Sequence, residues 1–484
     1  MKHRNECIAL MILTLASGWA AGCGRNAPQK LQGTSIKTQE TPQNQPSNRS
    51  DGRNEEPCRI VLAELGGTTA LDKKIAQAQQ RARAATGSSN ALEQLGWLFV
   101  SKARSSFDPG FYKLAEECAV CMEARSGRSP EALLLQGHAL HNLHRFKEAE
   151  PVAVELVARR GLPFDFGLLG DVLMEQGRLD AAVTAYQRMM DLRPDLHSYS
   201  RGAHLRWLKG DVEGAAELMR LAASAATPRD PESAAWVYTR LAAYEFQRGL
   251  VLDAERSCAA ALEYQTNYPP ALLLRGRMLL AGGEAEGAAK VLALAAELNP
   301  LPEYQWLLSE ALHAAGRSNE AAAVEGRLRK HGAATDPRTF ALFLATRRET
   351  PENAVRLGRA ELNNRQDVFT HDALAWSLAA AGEWGEAGGQ IQQALAEGTQ
   401  DARLFLHAGV IFERMGRSEE AGRNFTLAKG LERLLLPSEN QRLNVEMARL
   451  SARTGTSPSP RRIQEGSLNE TSVLSWNSQS TGKP

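Results

Sequence analysis

Residues 163–196 read PFDFGLLGDVLMEQGRLDAAVTAYQRMMDLRPDL, and this stretch decides the fold. Gly170 and Ala182 are small residues that let two helices approach closely. Gly177, five residues before Ala182, places a turn between them. Tyr186 then has room to pack in the next layer. Pro194 ends the second helix because it lacks an amide donor. A helix, a turn and a second helix in 34 residues cannot bury their own apolar face, so such units must stack on neighbours to form a core.

Working outward, the alanine recurs in register at Ala149, Ala182, Ala215, Ala254, Ala288, Ala321, Ala354, Ala387 and Ala421, with steps of 33, 33, 39, 34, 33, 33, 33 and 34. The turn glycine recurs at Gly210, Gly249, Gly283, Gly316, Gly382 and Gly416. The small first position recurs at Gly137, Ala203, Ala242, Gly276, Ser309, Ala375 and Gly409, and Pro300 repeats the terminator. These offsets resemble the tetratricopeptide repeat over roughly residues 89–435. The resemblance implies an all-α fold, a right-handed superhelical solenoid of about nine to ten helix–turn–helix repeats. Two units depart from the pattern: the Ala354 unit has Leu342 at the small position and Glu349 in place of the turn glycine, and the Ala149 unit has His144-Arg145 there. The 39-residue step contains Pro228 and Pro231, which no helix interior accommodates, so a bend or protrusion is expected there.

The expected organisation is a signal peptide (1–22), a tether (23–57), an irregular helical cap (58–129), the repeat solenoid (130–435), a capping helix (436–450) and a tail (451–484). The cap includes a further repeat-like unit near Asn90, with Leu95-Gly96-Trp97 and Leu114-Ala115-Glu116-Glu117 separated by a longer turn. Ser438-Glu439-Asn440-Gln441 reads as a capping box opening the final helix. A solenoid adds length without needing separate cores, so one elongated domain is expected despite the 484 residues.

Lys2 and Arg4 followed by an apolar run from Cys7 to Ala21 read as a secretory signal. Ala20-Ala21-Gly22-Cys23 resembles a bacterial lipobox, which implies acylation of Cys23 and a lipid anchor; it departs at Ala20, where leucine is usual. Ordinary signal cleavage after Gly22 is the alternative, giving a soluble periplasmic or secreted adaptor. Gly24 stands where an aspartate would signal inner-membrane retention, which by the same resemblance favours the outer membrane. Prolines among polar residues in 24–57 leave too little apolar content for a packed structure. A flexible tether of that length has an r.m.s. reach of about 30 Å. The tail is read in the same way.

The formal charge is +1, and removal of Lys2, Arg4 and Glu6 brings the chain to neutrality, which offers no broad cationic stripe for nucleic acid. In tetratricopeptide stacks the first helix of each pair lines a concave groove. Mapping its exposed positions onto this chain gives His138, His141, Asp171, Arg201, His204, Trp207, Arg240, Arg277, Glu310 and His313 as the surface for a protein or peptide partner. His138, His141 and His144 do not share one helix face, so no metal site is assigned. Cys118-Ala119-Val120-Cys121 has redox-motif spacing inside a predicted helix, where buried apolar cysteines are the better reading; a disulfide from Cys58 to one of the other cysteines stays open. Adjacent residues point about 100° apart on a helix, so His371 and Asp372 do not orient each other, and the segment opens a helix instead. No phosphate-cradling loop, nucleophile elbow or metalloprotease helix is present. The expectation is therefore a scaffold that binds protein, with no cofactor and no catalytic residue. The rival is an envelope redox or metal-dependent factor using Cys118 and Cys121 or the groove histidines.

Overall fold

A computed structural model describes residues 56–85 and 88–454. The signal segment, Cys23, nearly all of the tether and all but the first residues of the tail lie outside the described residues. Those described form twenty-three α-helices and no strand. They are α1 (Glu56–Leu62), α2 (Ala70–Ala84), α3 (Ser89–Ser106), α4 (Gly110–Ser126), α5 (Pro130–Asn142), α6 (Phe146–Arg159), α7 (Pro163–Glu175), α8 (Leu179–Leu192), α9 (Leu196–Leu208), α10 (Val212–Ser224), α11 (Pro231–Gln247) and α12 (Val251–Tyr264). The series continues with α13 (Pro269–Ala281), α14 (Ala285–Leu298), α15 (Pro302–Ala314), α16 (Ser318–Thr335), α17 (Pro337–Arg347), α18 (Pro351–Asn364), α19 (Val368–Ala381), α20 (Trp384–Leu395), α21 (Ala402–Arg414), α22 (Ser418–Gly430) and α23 (Pro437–Thr454).

From α3 onward the helices pack as consecutive antiparallel pairs, and each pair packs on the next. All nine register alanines have no exposed surface, because each lies at the crossing where a larger side chain would force the helices apart. At Gly170 a Cβ would collide with the Tyr186 ring, and at Gly409 with the Phe425 ring, four residues past the register alanine in both units. The seven turn glycines have φ between 72° and 83°, where a side chain is strained. In the two units without that glycine the backbone takes the same conformation at some cost: His144 has φ 56°, and Arg348 and Thr350 have φ 55° and 41°. Helix starts are written in proline and aspartate. Pro163, Pro231, Pro302, Pro337 and Pro351 open helices, while Asp211, Asp230, Asp336, Asp367 and Asp401 accept amide hydrogen bonds at N-caps.

Two boundaries differ from expectation. The first helix starts at Glu56, inside the span assigned to the tether. The last starts at Pro437 and runs to Thr454, and Glu439 caps it by accepting from the Leu436 amide, so the cap lies two residues before Ser438.

The larger difference is that the solenoid closes on itself. A one-dimensional stack contacts only its neighbours, yet here the turns and loops of repeats nearly 190 residues apart meet. The Gln366 amide donates to the Glu175 carbonyl at 3.1 Å. Thr399 Oγ1 donates to the Leu208 carbonyl across 191 residues, and Lys209 Nζ lies 3.1 Å from Glu397 Oε2 across 188. Gln247 Nε2 donates to the Gln400 carbonyl at 2.6 Å. The interruption at 226–232 takes part as well, since α11 gains an extra turn that brings Glu232 to within 2.6 Å of Arg104 on α3.

Candidate partner-binding groove

The first helices of the pairs carry the ten groove positions, and the closure of the superhelix decides how much of each faces water. Six are buried: His138, His141, Asp171, Arg201, His204 and Glu310. Trp207, Arg240 and Arg277 are half-buried, and His313 is exposed. The expectation that these positions are solvent-facing is corrected for the buried six. It assumed an open groove, whereas the later turn and α23 cover it.

Arg201 and Asp171 form the centre of the buried set. Arg201 Nε and Nη2 donate to the two oxygens of Asp171 at 2.9 and 2.8 Å, and the Tyr186 hydroxyl donates to the same carboxylate at 2.7 Å. Arg201 is completely buried, so this bidentate pair is satisfied internally and has no donor aimed outward. The neighbouring histidines are held neutral. Burial pulls His138 well below the usual histidine range, assisted by His141 and Arg104, and lowers His141 too, against the nearby Asp171. The Asn142 amide donates to His138 Nε2 at 3.2 Å. At His204 burial and then Arg240 favour the neutral ring, whose Nδ1 accepts from Arg240 Nη2 at 3.2 Å.

Trp207 is the hub of the next layer. It stacks on His204 at 5.5 Å and on Phe369 at 5.7 Å, donates from Nε1 to Gln247 at 2.8 Å, and lies under the Arg240 guanidinium at 5.5 Å. Phe369 comes from the later turn, so this stack is itself part of the closure. Beside it lies a cavity of about 180 Å³ lined by residues of both turns, among them Gly177, His204, Gln366, Phe369 and Gln393. Further along, Arg277 pairs with Glu303 at 3.0 Å, and His313 Nε2 lies 3.2 Å from Glu325 Oε1. Glu310 accepts from the Ser438 amide and hydroxyl at 3.2 and 2.8 Å, which fixes α23 over the late repeats.

Sequence reasoning missed the network that joins the turns. Arg365 lies 3.5 Å from Glu175, 3.2 Å from Glu361 and 3.7 Å from Asp367, and Arg338 bonds Asp367 at 3.1 Å. Burial raises Glu175 to about 7, opposed by Arg365. Burial also pushes Asp367 upward, but Arg338 and Arg365 outweigh it and hold Asp367 below the carboxylate range. Asp372 likewise pairs with His407 of the following repeat at 2.8 Å, and His371 with Gln390 at 2.8 Å, so the adjacent His371-Asp372 do not act on each other.

The cysteines resolve differently from the favoured reading. Cys121 is disulfide-bonded to Cys58, because α1 packs on α4 with the two Cα atoms 4.9 Å apart. Cys118, like Cys258, is a buried free thiol among the described residues, and burial drives it well above its usual value, which suppresses the thiolate that redox chemistry requires.

The helix-pair stack, the recurring small crossings and the left-handed turns are now joined by a family match: residues 166–196 match the tetratricopeptide repeat family. These residues form a tetratricopeptide repeat. No curated protein matches it in sequence. Among solved structures, the crystal structure of yeast Tom70 is similar to the solenoid over 79% of this chain and 97% of its own, at 13% identity and a TM-score of 0.33.

Proposed function

We propose that this repeat solenoid is an exported, lipid-anchored scaffold that holds a protein or peptide partner in a bacterial cell envelope, and that it is a binding protein rather than an enzyme. The observation that carries the reading is the stack of helix pairs, which occupies nearly all the described length and presents side chains in repeating array. Of the groove positions, Trp207, Arg240, Arg277 and His313 keep solvent-facing surface and supply the partner contacts in this reading. The Cys58–Cys121 disulfide is in keeping with an oxidising compartment, and the Ala20–Cys23 segment supports acylation at Cys23 as the anchor.

The test is in-cell crosslinking and pull-down of the full chain, comparing it with a variant carrying Arg240→Ala, Arg277→Ala and His313→Ala. Loss of one envelope protein from the variant supports the groove. Identical recovery from both removes these residues from the interface. Fractionation of Cys23→Ser tests the anchor separately: the variant leaves the membrane fraction if Cys23 is acylated, and a membrane-bound variant rules the lipid anchor out.

A further inference from the structure

The capping helix α23 brings an arginine to a place where no carboxylate bonds it. Arg442 lies with its guanidinium 4.4 Å from the centre of the Trp376 ring, mostly out of water, and has no hydrogen bond or ion pair among the described residues. Trp376 in turn donates from Nε1 to Thr346 Oγ1 at 3.0 Å, two residues before Arg348 at the end of α17. Arg348 is exposed, and its guanidinium too has no partner among the described residues. On the other side Arg453 of α23 bonds Glu413 at the end of α21, next to Arg414, whose guanidinium stands 5.9 Å from the Trp384 ring. Arg449 completes the group.

The nearby acids are already engaged: Glu446 pairs with Arg449 at 2.6 Å, and Glu413 with Arg453 and with Arg414 at 3.3 Å. Arg442 and Arg348 are thus two cations without a bonded carboxylate in one neighbourhood, and Glu446, held by Arg449, offsets Arg442 only from a distance. Taking an unpaired charge out of water is costly, and here burial, then repulsion from Arg348, Arg414 and Arg449 against the attraction of Glu446, draws the Arg442 guanidinium down to about 10. A folded arrangement that sets one unbonded guanidinium over an indole face with a second, exposed one nearby, open to solvent on the Arg348 and Arg414 side, has the chemistry of an anion receptor.

We propose that Arg442 and Arg348, with Arg414 at the margin and Trp376 as the floor, form a binding site for a phosphate monoester or inorganic phosphate at the C-terminal end of the solenoid. Two free guanidiniums match the charge of a phosphate monoester, about −1.5 to −2 at neutral pH, and each can engage its oxygens in bidentate fashion. This site lies apart from the groove positions and does not depend on them. The phosphate could be free or could be the headgroup of a phosphomonoester lipid, and the two sources are separable.

The experiment is isothermal titration of the full chain with inorganic phosphate in chloride buffer, repeated with Arg348→Gln and Arg442→Gln, together with co-sedimentation on phosphatidylcholine vesicles with and without phosphatidic acid. Saturable phosphate binding that weakens roughly tenfold or more in each variant is expected, the size of a lost charged hydrogen bond. If phosphate binds while phosphatidic acid vesicles do not retain the protein, the ligand is soluble. If retention requires phosphatidic acid and both arginines, the ligand is a headgroup. No binding to either probe, or binding unchanged in both variants, overturns the site. Arg348→Gln alters an exposed residue and keeps the test valid if Arg442→Gln impairs folding. In phosphate-free buffer Arg442→Gln should also melt higher than the parent chain, whereas a purely structural role over Trp376 would make it melt lower.

Discussion

Gly177 and Gly416 stand at the same place in their repeats, five residues before the register alanine, with φ 72° and 77°. Around Gly416 a Cβ would meet nothing within 4 Å, but at Gly177 it would collide with the carbonyl oxygen of Gln366, and at Gly210 with that of Gly398. In the late repeats the turn glycine satisfies backbone geometry alone. In the early repeats it also admits another turn of the superhelix. One local motif therefore serves two purposes, and the early repeats form an interior while the late ones keep an open rim.

The largest expected effect is on pH dependence, because several groups act together. His138, His141, His197 and His204 all lie in the early repeats, buried, with protonation disfavoured chiefly by burial. His197 is drawn to about 4. Their folded values lie below the unfolded one near 6.5, so the unfolded chain binds more protons there. The stability they contribute is complete above about 6.5 and is lost as pH falls from there toward the folded values. Glu175 runs the other way: its folded value near 7 exceeds the ordinary glutamate value of about 4.5, so its contribution is present in acid and is lost as pH rises through about 7. Four histidines outweigh one carboxyl. Hydrogen exchange corrected for intrinsic rates should show residues 130–250 losing protection before residues 370–450 as pH drops from about 7 to about 5. The reverse order would break the contrast between the halves.

The next effect belongs to Arg201→Ala. It leaves Asp171 charged and buried with only the Tyr186 hydroxyl to bond, and breaking a buried pair in this way costs about 3–5 kcal/mol. Chemical denaturation reads it directly, and a loss under about 1 kcal/mol would mean that the interior admits water.

Gly177→Ala and Gly416→Ala come third. Both incur the left-handed backbone penalty of about 1–2 kcal/mol for a residue with a Cβ. Only Gly177→Ala must also displace the carbonyl of Gln366, the residue whose amide donates the inter-turn bond to the Glu175 carbonyl. Its loss of stability should therefore exceed that of Gly416→Ala, and small-angle scattering should show an expanded particle for Gly177→Ala alone. Equal losses with equal dimensions would show that the turns are not held together at this seam.

Periodicity explains which of these features could be read from the chain. The register alanines and the turn glycines answer to constraints inside one repeat or between neighbours, and those recur every 33 or 34 residues apart from the single step of 39. The left-handed residues of the two irregular units were legible only as gaps, since His144 and Arg348 take a conformation that their identity does not advertise. Contacts such as Arg365 with Glu175, or Phe369 with Trp207, join positions separated by nearly the whole superhelical turn and leave no periodic mark. For that reason the groove positions were identifiable by helix phase while their burial was not. Cys58 is a similar case, because its pairing with Cys121 depends on where the short first helix docks.

The smallest effect isolates burial as the cause of these differences. Arg423 and Glu419 on α22 form an arginine–carboxylate pair at 2.6 Å, shorter than the 2.8 Å of Arg201 with Asp171. Distance alone would rank the α22 pair as the stronger. Its side chains are 58% and 89% exposed, however, against 0% and 5% for the buried pair. Water screens the exposed pair and solvates either partner when the other is removed, so exposed helical pairs of this spacing contribute about 0.3–0.5 kcal/mol. Arg423→Ala should lower stability by no more than that, and added salt should reduce the difference further. A loss comparable to that of Arg201→Ala would mean that the late rim is covered in solution by something it binds, and the contrast between an interior early half and an open late half would have to be redrawn.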